Sequence, residues 1–285
     1  MNTVKINDFS LLNEILPFIQ KYFGNIIVIK YGGAAMQSSI LQLKVIQNIS
    51  LLHSLGLKIV LVHGGGPFIN EWLNKLNITP KFNKGIRITD SATMEIVEMV
   101  LAGKVNKNLV SLFSQNNIQS IGLSGKDSNL ITSSALFNDS NNLVGKIDSI
   151  NTNLLSLLLN NNYIPVIASI GIGDKNKMYN INADTAAGYI AESLNAHTLI
   201  LLTDTSGIML DTQDSSTLLK NLNTESIRKL KDKSVISGGM IPKVDCCIKA
   251  LKSGVKFAHI IDGRIPDSLL HELFTVTRIG SKIIL

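Results

Sequence analysis

Apolar residues fall in two rhythms along this chain. Short unbroken runs of Val, Ile and Leu predict strands buried on both faces over 26–30, 58–63, 120–123, 163–170, 198–203 and 258–262. Between them, apolar positions recur three and four apart. That spacing predicts helices over 39–55, 67–76, 91–116, 152–161, 183–194, 224–231 and 242–253. A further helix is predicted over 8–23, where Leu11, Leu12, Ile15, Leu16, Ile19 and Phe23 share a face, with Asp8 placed to cap it and Pro17 to kink it. Runs over 130–137 and 143–148, joined by Asn138-Asp139-Ser140-Asn141-Asn142, predict a β-hairpin. Strands alternating with helices predict an α/β fold with an open, mainly parallel sheet covered on both faces. No internal repeat or long polar linker separates independent units, and a soft division falls near 182–187.

Composition narrows the function classes. With 285 residues, 45% of them hydrophobic, the chain can bury the core of one large α/β unit or two small lobes. The net charge is +6, and the lysines are dispersed rather than clustered with aromatics. That disfavours nucleic-acid binding and fits a positive field for anionic metabolites. Between Glu14 and Glu71 there is no carboxylate at all. Cys246 and Cys247 are too few for a disulfide framework or a zinc site, and read as small buried residues in a reducing compartment. No apolar run reaches membrane-spanning length, and the first residues resemble neither a signal nor a transit peptide. The abundance of Asn, Ile and Lys reads as AT-rich coding bias, a pointer to an organelle or a reduced genome.

The candidate chemistry starts inside that carboxylate-free stretch. Two strand-like runs end in glycine: Lys30-Tyr31-Gly32-Gly33 and His63-Gly64-Gly65-Gly66-Pro67. Bare backbone N–H groups at a strand-to-helix turn make an anion site, and a lysine beside one suits phosphate. The first segment reads equally as an ordinary tight turn. Three consecutive glycines are harder to explain by structure alone. His63 reads as a packing or hydrogen-bonding residue, and no proton transfer is assigned to it. Neither segment is a P-loop, and Gly122-Leu123-Ser124-Gly125-Lys126-Asp127 fails that motif on spacing and last residue. The dinucleotide fingerprint needs an acidic residue about twenty positions on, which the first segment lacks.

Later segments are weaker singly. Asn180-Ile181-Asn182-Ala183-Asp184 opens a helix, and Asn182 is a sufficient cap for it. Ser237-Gly238-Gly239-Met240-Ile241-Pro242-Lys243 is a flexible turn before a helix, whose lysine alone would read as solvated. Gly85-Ile86-Arg87-Ile88-Thr89 sets an arginine among apolar neighbours, where it could fork a carboxylate or form a surface salt bridge. Thr203-Asp204 ends a strand in a turn that could meet a nucleoside.

Together, and in this order, these motifs resemble the amino-acid kinase family over about 8–284. The resemblance implies an αβα sandwich of two lobes. Residues 1–24 would be an oligomerisation helix, 25–182 the acid-binding lobe and 183–285 the ATP-binding lobe. The likeness is to members that phosphorylate the side-chain carboxylate of N-acetyl-L-glutamate in arginine synthesis. By position, Lys30 and Lys243 would flank the moving phosphoryl group, Asp184 would orient both, and Gly33 and Gly65 would donate N–H bonds. Gly65, Gly66, Arg87 and Asn180 would hold the acetylated amino acid. Lys30, Gly32, Thr203, Asp204, Gly239 and Lys243 would meet the nucleotide, with Mg²⁺ carried on ATP and no metal held by the protein. The resemblance to arginine-inhibited members implies a homohexamer, a trimer of dimers interlaced by the N-terminal helix. It also implies an arginine pocket around His259 and Glu272, although Arg278 stands where an acid is expected. In oxygenic phototrophs it implies a PII-type signalling partner, to which no segment here points independently. The setting implied is plastid stroma or bacterial cytoplasm, without membrane or nucleic-acid partners. The rival readings are a sibling kinase acting on aspartate, glutamate, carbamate or a nucleoside monophosphate, and a non-catalytic arginine or nucleotide sensor.

Overall fold

The computed structural model describes residues 8–83 and 86–285, with side chains from residue 13 onward. The first half runs α1 (Asp8–Tyr22), β1 (Ile26–Tyr31), α2 (Ser39–Ser54), β2 (Lys58–His63), α3 (Gly66–Lys75), and the short pair β3 (Phe82–Asn83) and β4 (Ile86–Arg87). Next come α4 (Ser91–Glu98), a π-helical segment Met99–Val105, α5 (Asn106–Gln115) and β5 (Ser120–Leu123). Strands β6 (Ile131–Ala135) and β7 (Gly145–Ile150), helix α6 (Asn153–Asn160), then β8 (Ile164–Ala168), β9 (Ile170–Ile172) and β10 (Met178–Asn180) follow. The chain closes with α7 (Ala183–Ser193), β11 (Thr198–Thr203), β12 (Asn221–Asn223), α8 (Thr224–Asp232), α9 (Met240–Lys252), β13 (Phe257–Asp262), α10 (Ser268–Phe274) and β14 (Ser281–Ile284).

Eight strands form one sheet in the order β12-β14-β13-β11-β1-β2-β8-β5. Every pairing from β13 to β5 is parallel, and β14 joins β13 antiparallel. The order reverses at its centre. From β1 the chain winds towards β2, β8 and β5, and from β11 it winds the other way, so the β1/β11 boundary is a topological switch point. A four-stranded sheet, β10-β9-β6-β7, sits beside the main one.

The continuous apolar strands divide their side chains between two cores. Ile27, Ile29, Ile59 and Leu61 face one cluster with α2, α4 and α5. Val28, Val60, Val62, Leu199 and Leu201 face the other, with α7 and α9. This alternation decides the polar residues too. Lys30 shares the side of Val28, where α7 and α9 lie, and His63 shares the side of Leu61, where α5 lies.

Two sequence expectations need correction, and several elements were not foreseen. The strand over 163–170 is two strands: the chain leaves the main sheet at Ser169 and enters the second at Ile170. An unbroken apolar run cannot reveal such a change of sheet, because both environments are buried. The helix over 91–116 is interrupted by the π segment. The elements α10, β9, β10, β12 and β14 were too short or too polar for periodicity to mark. Helix α1 forms as expected with Pro17 inside it. Its Tyr22 is buried against the first cluster, and Ile15, Phe18 and Ile19 pack there too.

Candidate active site

The C-terminal ends of β1 and β11 lie together at the switch point, and α7 and α9 bring their N-terminal turns to the same face. Lys30 ends β1 and is buried. Its Nζ lies 3.0 Å from Asp184 Oδ1, in the first turn of α7. From the first turn of α9, Lys243 Nζ donates to Asp184 Oδ2 at 2.7 Å. Asp184 is 5% exposed. Burial alone would push its carboxyl up, but the Lys30 and Lys243 ammonium groups outweigh that and hold it down at about 2. One buried carboxylate thus spaces two cations. Each ammonium has three N–H groups, so each keeps donors for a further anion.

Small residues permit this approach. A side chain at Gly188 would place its Cβ 2.5 Å from Cys246 Sγ. That thiol donates to the Asp184 carbonyl at 2.9 Å. Gly188 lies one helical turn after Asp184 and Cys246 one after Lys243, so their contact sets how closely the two charged turns meet. Burial pushes the Cys246 thiol up to about 12, which makes it a packing group rather than a nucleophile. Sequence reasoning read the cysteines as buried but did not connect them to the site; the signal was their spacing from the charged residues. Asn182 caps α7 as expected, accepting from the Thr185 N–H at 3.0 Å.

The glycines around the cluster differ in purpose. A Cβ at Gly32 would fall 2.8 Å from Lys30 Nζ, so this glycine leaves room for the lysine to fold back over the loop. Gly33 has φ 79°, a left-handed conformation natural to glycine, and lies beside Asp204. Thr203 ends β11 and Asp204 follows it, and the Thr203 hydroxyl donates to Asp204 Oδ1 at 3.2 Å. Gly239 caps α9 from an exposed turn. Gly64 meets the start of α7, where an added Cβ would sit 3.3 Å from Ala183 Cβ. After β2, the Gly65 carbonyl accepts from the Ile69 N–H at 2.9 Å.

Next to this loop lies the arginine. Arg87 is buried, not the surface salt bridge it could have been. Its Nη2 donates to Asn70 Oδ1 at 2.7 Å and to the Gly66 carbonyl at 3.3 Å, and its guanidinium stacks over the Phe82 ring. Its Nη1 is buried with no acceptor among the described residues. A buried, unpaired guanidinium N–H is costly and suits a ligand acceptor. Asn180 reaches the same place from the second sheet. Its Nδ2 donates to Thr89 Oγ1 at 3.0 Å, and Thr89 in turn donates to the Arg87 carbonyl at 3.1 Å. Asn70 and Phe82, which hold the arginine, carried no recognisable sequence signal. Gly85 lies outside the described residues. Cavities of about 320 and 650 Å³ flank Asp90, and of the predicted site residues only Arg87 lines either one.

His259 and Glu272 also meet, 2.8 Å apart and fully buried. Glu272 accepts in addition from Arg278 Nη1 at 3.3 Å and from the Ile279 and Gly280 N–H groups at 3.2 and 3.1 Å. Burial pushes the Glu272 carboxyl up, but the His259 hydrogen bond, the Gly280 N–H and the Arg278 charge carry it below its ordinary value. Burial lowers the His259 imidazole. The carboxylate expected to face an arginine ligand is therefore filled by the chain's own donors.

Among the described residues, no three His, Cys, Asp or Glu side chains gather as metal ligands, and no helix is long and apolar enough to cross a membrane. Asp184, the carboxylate between Lys30 and Lys243, is already matched by those two lysines.

The chain is similar to known proteins along nearly its whole length. Residues 25–262 match the model of the amino acid kinase family. The chain is 51% identical over 284 residues to the acetylglutamate kinase of Gracilaria tenuistipitata var. liui, covering 98% of this chain and 100% of that protein. It is 50% identical to the acetylglutamate kinase of Nostoc punctiforme, covering 96% and 92%. Among solved structures, N-acetylglutamate synthase from Neisseria gonorrhoeae complexed with coenzyme A and N-acetyl-glutamate superposes with a TM-score of 0.86 at 24% identity, covering 97% of this chain and 63% of that one. Carbamate kinase from Giardia lamblia bound to AMP-PNP superposes at 0.64 and 17% identity, covering 92% and 98%. With the family model matched over 25–262 and relatives about half identical across nearly the whole length, the chain belongs to the amino acid kinase family.

Proposed function

We propose that this chain transfers the γ-phosphoryl group of ATP to the side-chain carboxylate of N-acetyl-L-glutamate, giving N-acetyl-L-glutamyl 5-phosphate in arginine biosynthesis. The observation that carries the chemistry is the Lys30–Asp184–Lys243 cluster at the switch point. The relatives' shared activity supports the choice of substrate, and the open Nη1 of Arg87 supports a carboxylate-bearing ligand beside the cluster.

The reaction asks little covalent work of the protein. A side-chain carboxylate has a pKa near 4, so the nucleophile is already ionised and needs no general base. The difficulty is to align two anions and to stabilise charge on the phosphoryl oxygens. Lys30 and Lys243 would flank those oxygens with the N–H groups not given to Asp184. Asp184 would hold both ammonium groups in place between turnovers. Gly33 and Gly65 would add backbone N–H donors. Arg87, with Asn180, Gly65 and Gly66, would hold the acetylated amino acid and fix which carboxylate faces the nucleotide. Gly32, Thr203, Asp204 and Gly239 would border the ATP. Mg²⁺ would arrive on the nucleotide phosphates and would neutralise part of their charge.

The same reading places residues 1–24 at an interface between copies in a homohexamer. The exposed Leu16 and Phe23, with the apolar face of α1 otherwise docked on its own chain, support that reading. The setting proposed is plastid stroma or bacterial cytoplasm, which suits the two free cysteines.

The test is ATP-dependent acyl-phosphate formation, trapped with hydroxylamine, on N-acetyl-L-glutamate, glutamate and aspartate. Product from N-acetylglutamate alone is expected. Product only from another acid would keep the phosphoryl chemistry and overturn the substrate. Silence on all three would favour a sibling kinase or a sensor.

A further inference from the structure

His63 has no part in the scheme above, yet it is fully buried at the mouth of the triple-glycine loop. We propose that His63 and Asn106 form a positioning pair that fixes the Gly64–Gly65 peptide so that the Gly65 N–H faces the phosphoryl group. The inference rests on the kinase reading and assigns work to two residues outside it.

The hydrogen-bond directions leave one arrangement. Asn106 is buried, and its Nδ2 lies 2.9 Å from the Val166 carbonyl and 3.3 Å from the Leu123 carbonyl. Both are acceptors, so the amide must turn its NH₂ towards them. The same Nδ2 lies 3.1 Å from His63 Nε2. Its two hydrogens go to the Val166 carbonyl and to Nε2, the longer Leu123 contact sharing one of them, so Nε2 accepts. A neutral ring then carries its proton on Nδ1. That atom lies 3.0 Å from the Gly64 carbonyl, which requires a donor. Acceptors at one end of the pair and a carbonyl at the other thus select the same tautomer. Burial drives the imidazole down to about 4, so the ring stays neutral near pH 7.

The peptide plane carries the effect across the sheet. The Gly64–Gly65 peptide is trans, so the Gly65 N–H points opposite to the Gly64 carbonyl of the same unit. His63 faces the α5 side of the sheet and Lys30 the α7 and α9 side. Drawing the carbonyl to the first side turns the N–H to the second. No acceptor among the described residues meets that N–H. The Gly64 N–H is itself held by the Tyr31 carbonyl at 3.2 Å, so the loop is anchored before the critical peptide.

The π segment explains how Asn106 reaches His63. Asn106 is the first residue after Met99–Val105. One residue turns an α-helix by about 100°, so the wider turn re-aims every later side chain. The same segment places Leu101 where a Cβ at Gly65 would meet it at 2.6 Å, which keeps position 65 bare.

The test separates the two ends of the ring. In His63→Asn the amide nitrogen falls near the place of Nδ1 and still donates to Gly64. In His63→Gln it falls near Nε2, and the Gly64 carbonyl loses its donor. His63→Gln should lose about ten- to a hundredfold in kcat, with KM for ATP and N-acetylglutamate each within about threefold. His63→Asn should retain kcat within about threefold of the wild type. Both lose the ring's packing, so thermal midpoints fall in both and should not follow the order of kcat. In ¹⁵N-histidine-labelled wild type, NMR should show a neutral ring protonated at Nδ1 and unchanged through the ordinary histidine range. Equal kcat in the two variants, or a proton on Nε2, would overturn the positioning role while an active wild type leaves the kinase reading intact. A wild type silent with N-acetylglutamate would overturn that reading and the role with it.

Discussion

Asp184 and Glu272 are both buried carboxylates beside cations, and they are built for opposite ends. Glu272 accepts from an imidazole, a guanidinium and two backbone N–H groups, and is sealed from solvent. Its lone pairs are matched, and so is the charge around it. Asp184 meets two ammonium groups, one of which, Lys243, keeps a partly exposed side chain. The surplus there is positive: two cations on one anion, each with spare donors. Burial and a depressed pKa are common to both clusters, so neither identifies a reactive site. The balance of charge and of unused donors is what separates them.

The largest expected effect comes from disturbing that surplus. On the proposed role, in which its N–H groups act on charge that develops in the transition state, Lys243→Met should lower kcat by about 10²–10³-fold, with KM for both substrates nearly unchanged. Hydroxamate formation under saturating substrates measures it; unchanged turnover would remove Lys243 from the site. Glu272→Ala should behave the other way. Breaking a buried pair leaves His259 and Arg278 without their anion and should cost about 3–5 kcal/mol of stability. Its loss in urea midpoint should far exceed its change in turnover per folded molecule. A variant as stable as the wild type would show that the sealed cluster is not structural.

A smaller effect separates the substrate side from the phosphoryl side. Arg87→Ala should raise KM for N-acetylglutamate by about ten- to a hundredfold, the worth of a charge-assisted hydrogen bond to a carboxylate, and spare KM for ATP. Equal effects on both constants would contradict its place. The acid limb of stability tests Asp184 itself. Its folded pKa is about 2, below the ordinary carboxylate value, so ionised Asp184 stabilises the fold above about pH 4 and that share is lost as pH falls towards 2. Asp184→Asn should remove this share, so its urea midpoint should fall less than the wild type's between pH 4.5 and pH 2.5. Parallel acid limbs would show that the two lysines do not depress this carboxyl.

Much of this was legible in the chain. Unbroken Val/Ile/Leu runs gave the parallel strands, because strands covered on both faces leave no polar alternation to read. Which side of the sheet Lys30 faces was not legible; the structure puts it with α7 and α9. The glycine segments were visible because glycine runs are rarely demanded by packing. Long-range pairings were not visible. Asn106 and His63 are 43 residues apart and meet through a π turn that leaves no periodic signature. Asn70 and Arg87 meet because β4 folds back over α3, and nothing local in either segment encodes that. Arg278 stood out in the sequence as a departure, but only packing shows that its guanidinium lies on Glu272.

That last contact yields the smallest prediction and bears most directly on the comparison. A carboxylate that once served a guanidinium ligand and one that serves only the fold differ by what already occupies it. Here Arg278 Nη1 reaches Glu272 Oε1 at 3.3 Å, longer than a strong charge-assisted bond, and its side chain is about one-fifth exposed. It is the longest of the four contacts, and its side chain reaches solvent. Free arginine must displace it to reach the carboxylate. Arg278→Ala should therefore increase sensitivity to arginine, lowering the half-inhibitory concentration by about three- to tenfold, in line with one partly exposed ion pair. Isothermal titration with arginine, alongside the hydroxamate assay, measures it. Arginine inhibition that is strong in the wild type and lost in Arg278→Ala would assign Arg278 to the ligand site instead. Arginine without effect on either protein would leave Glu272 as a structural anion, sealed by the His259 imidazole and the two backbone N–H groups alone.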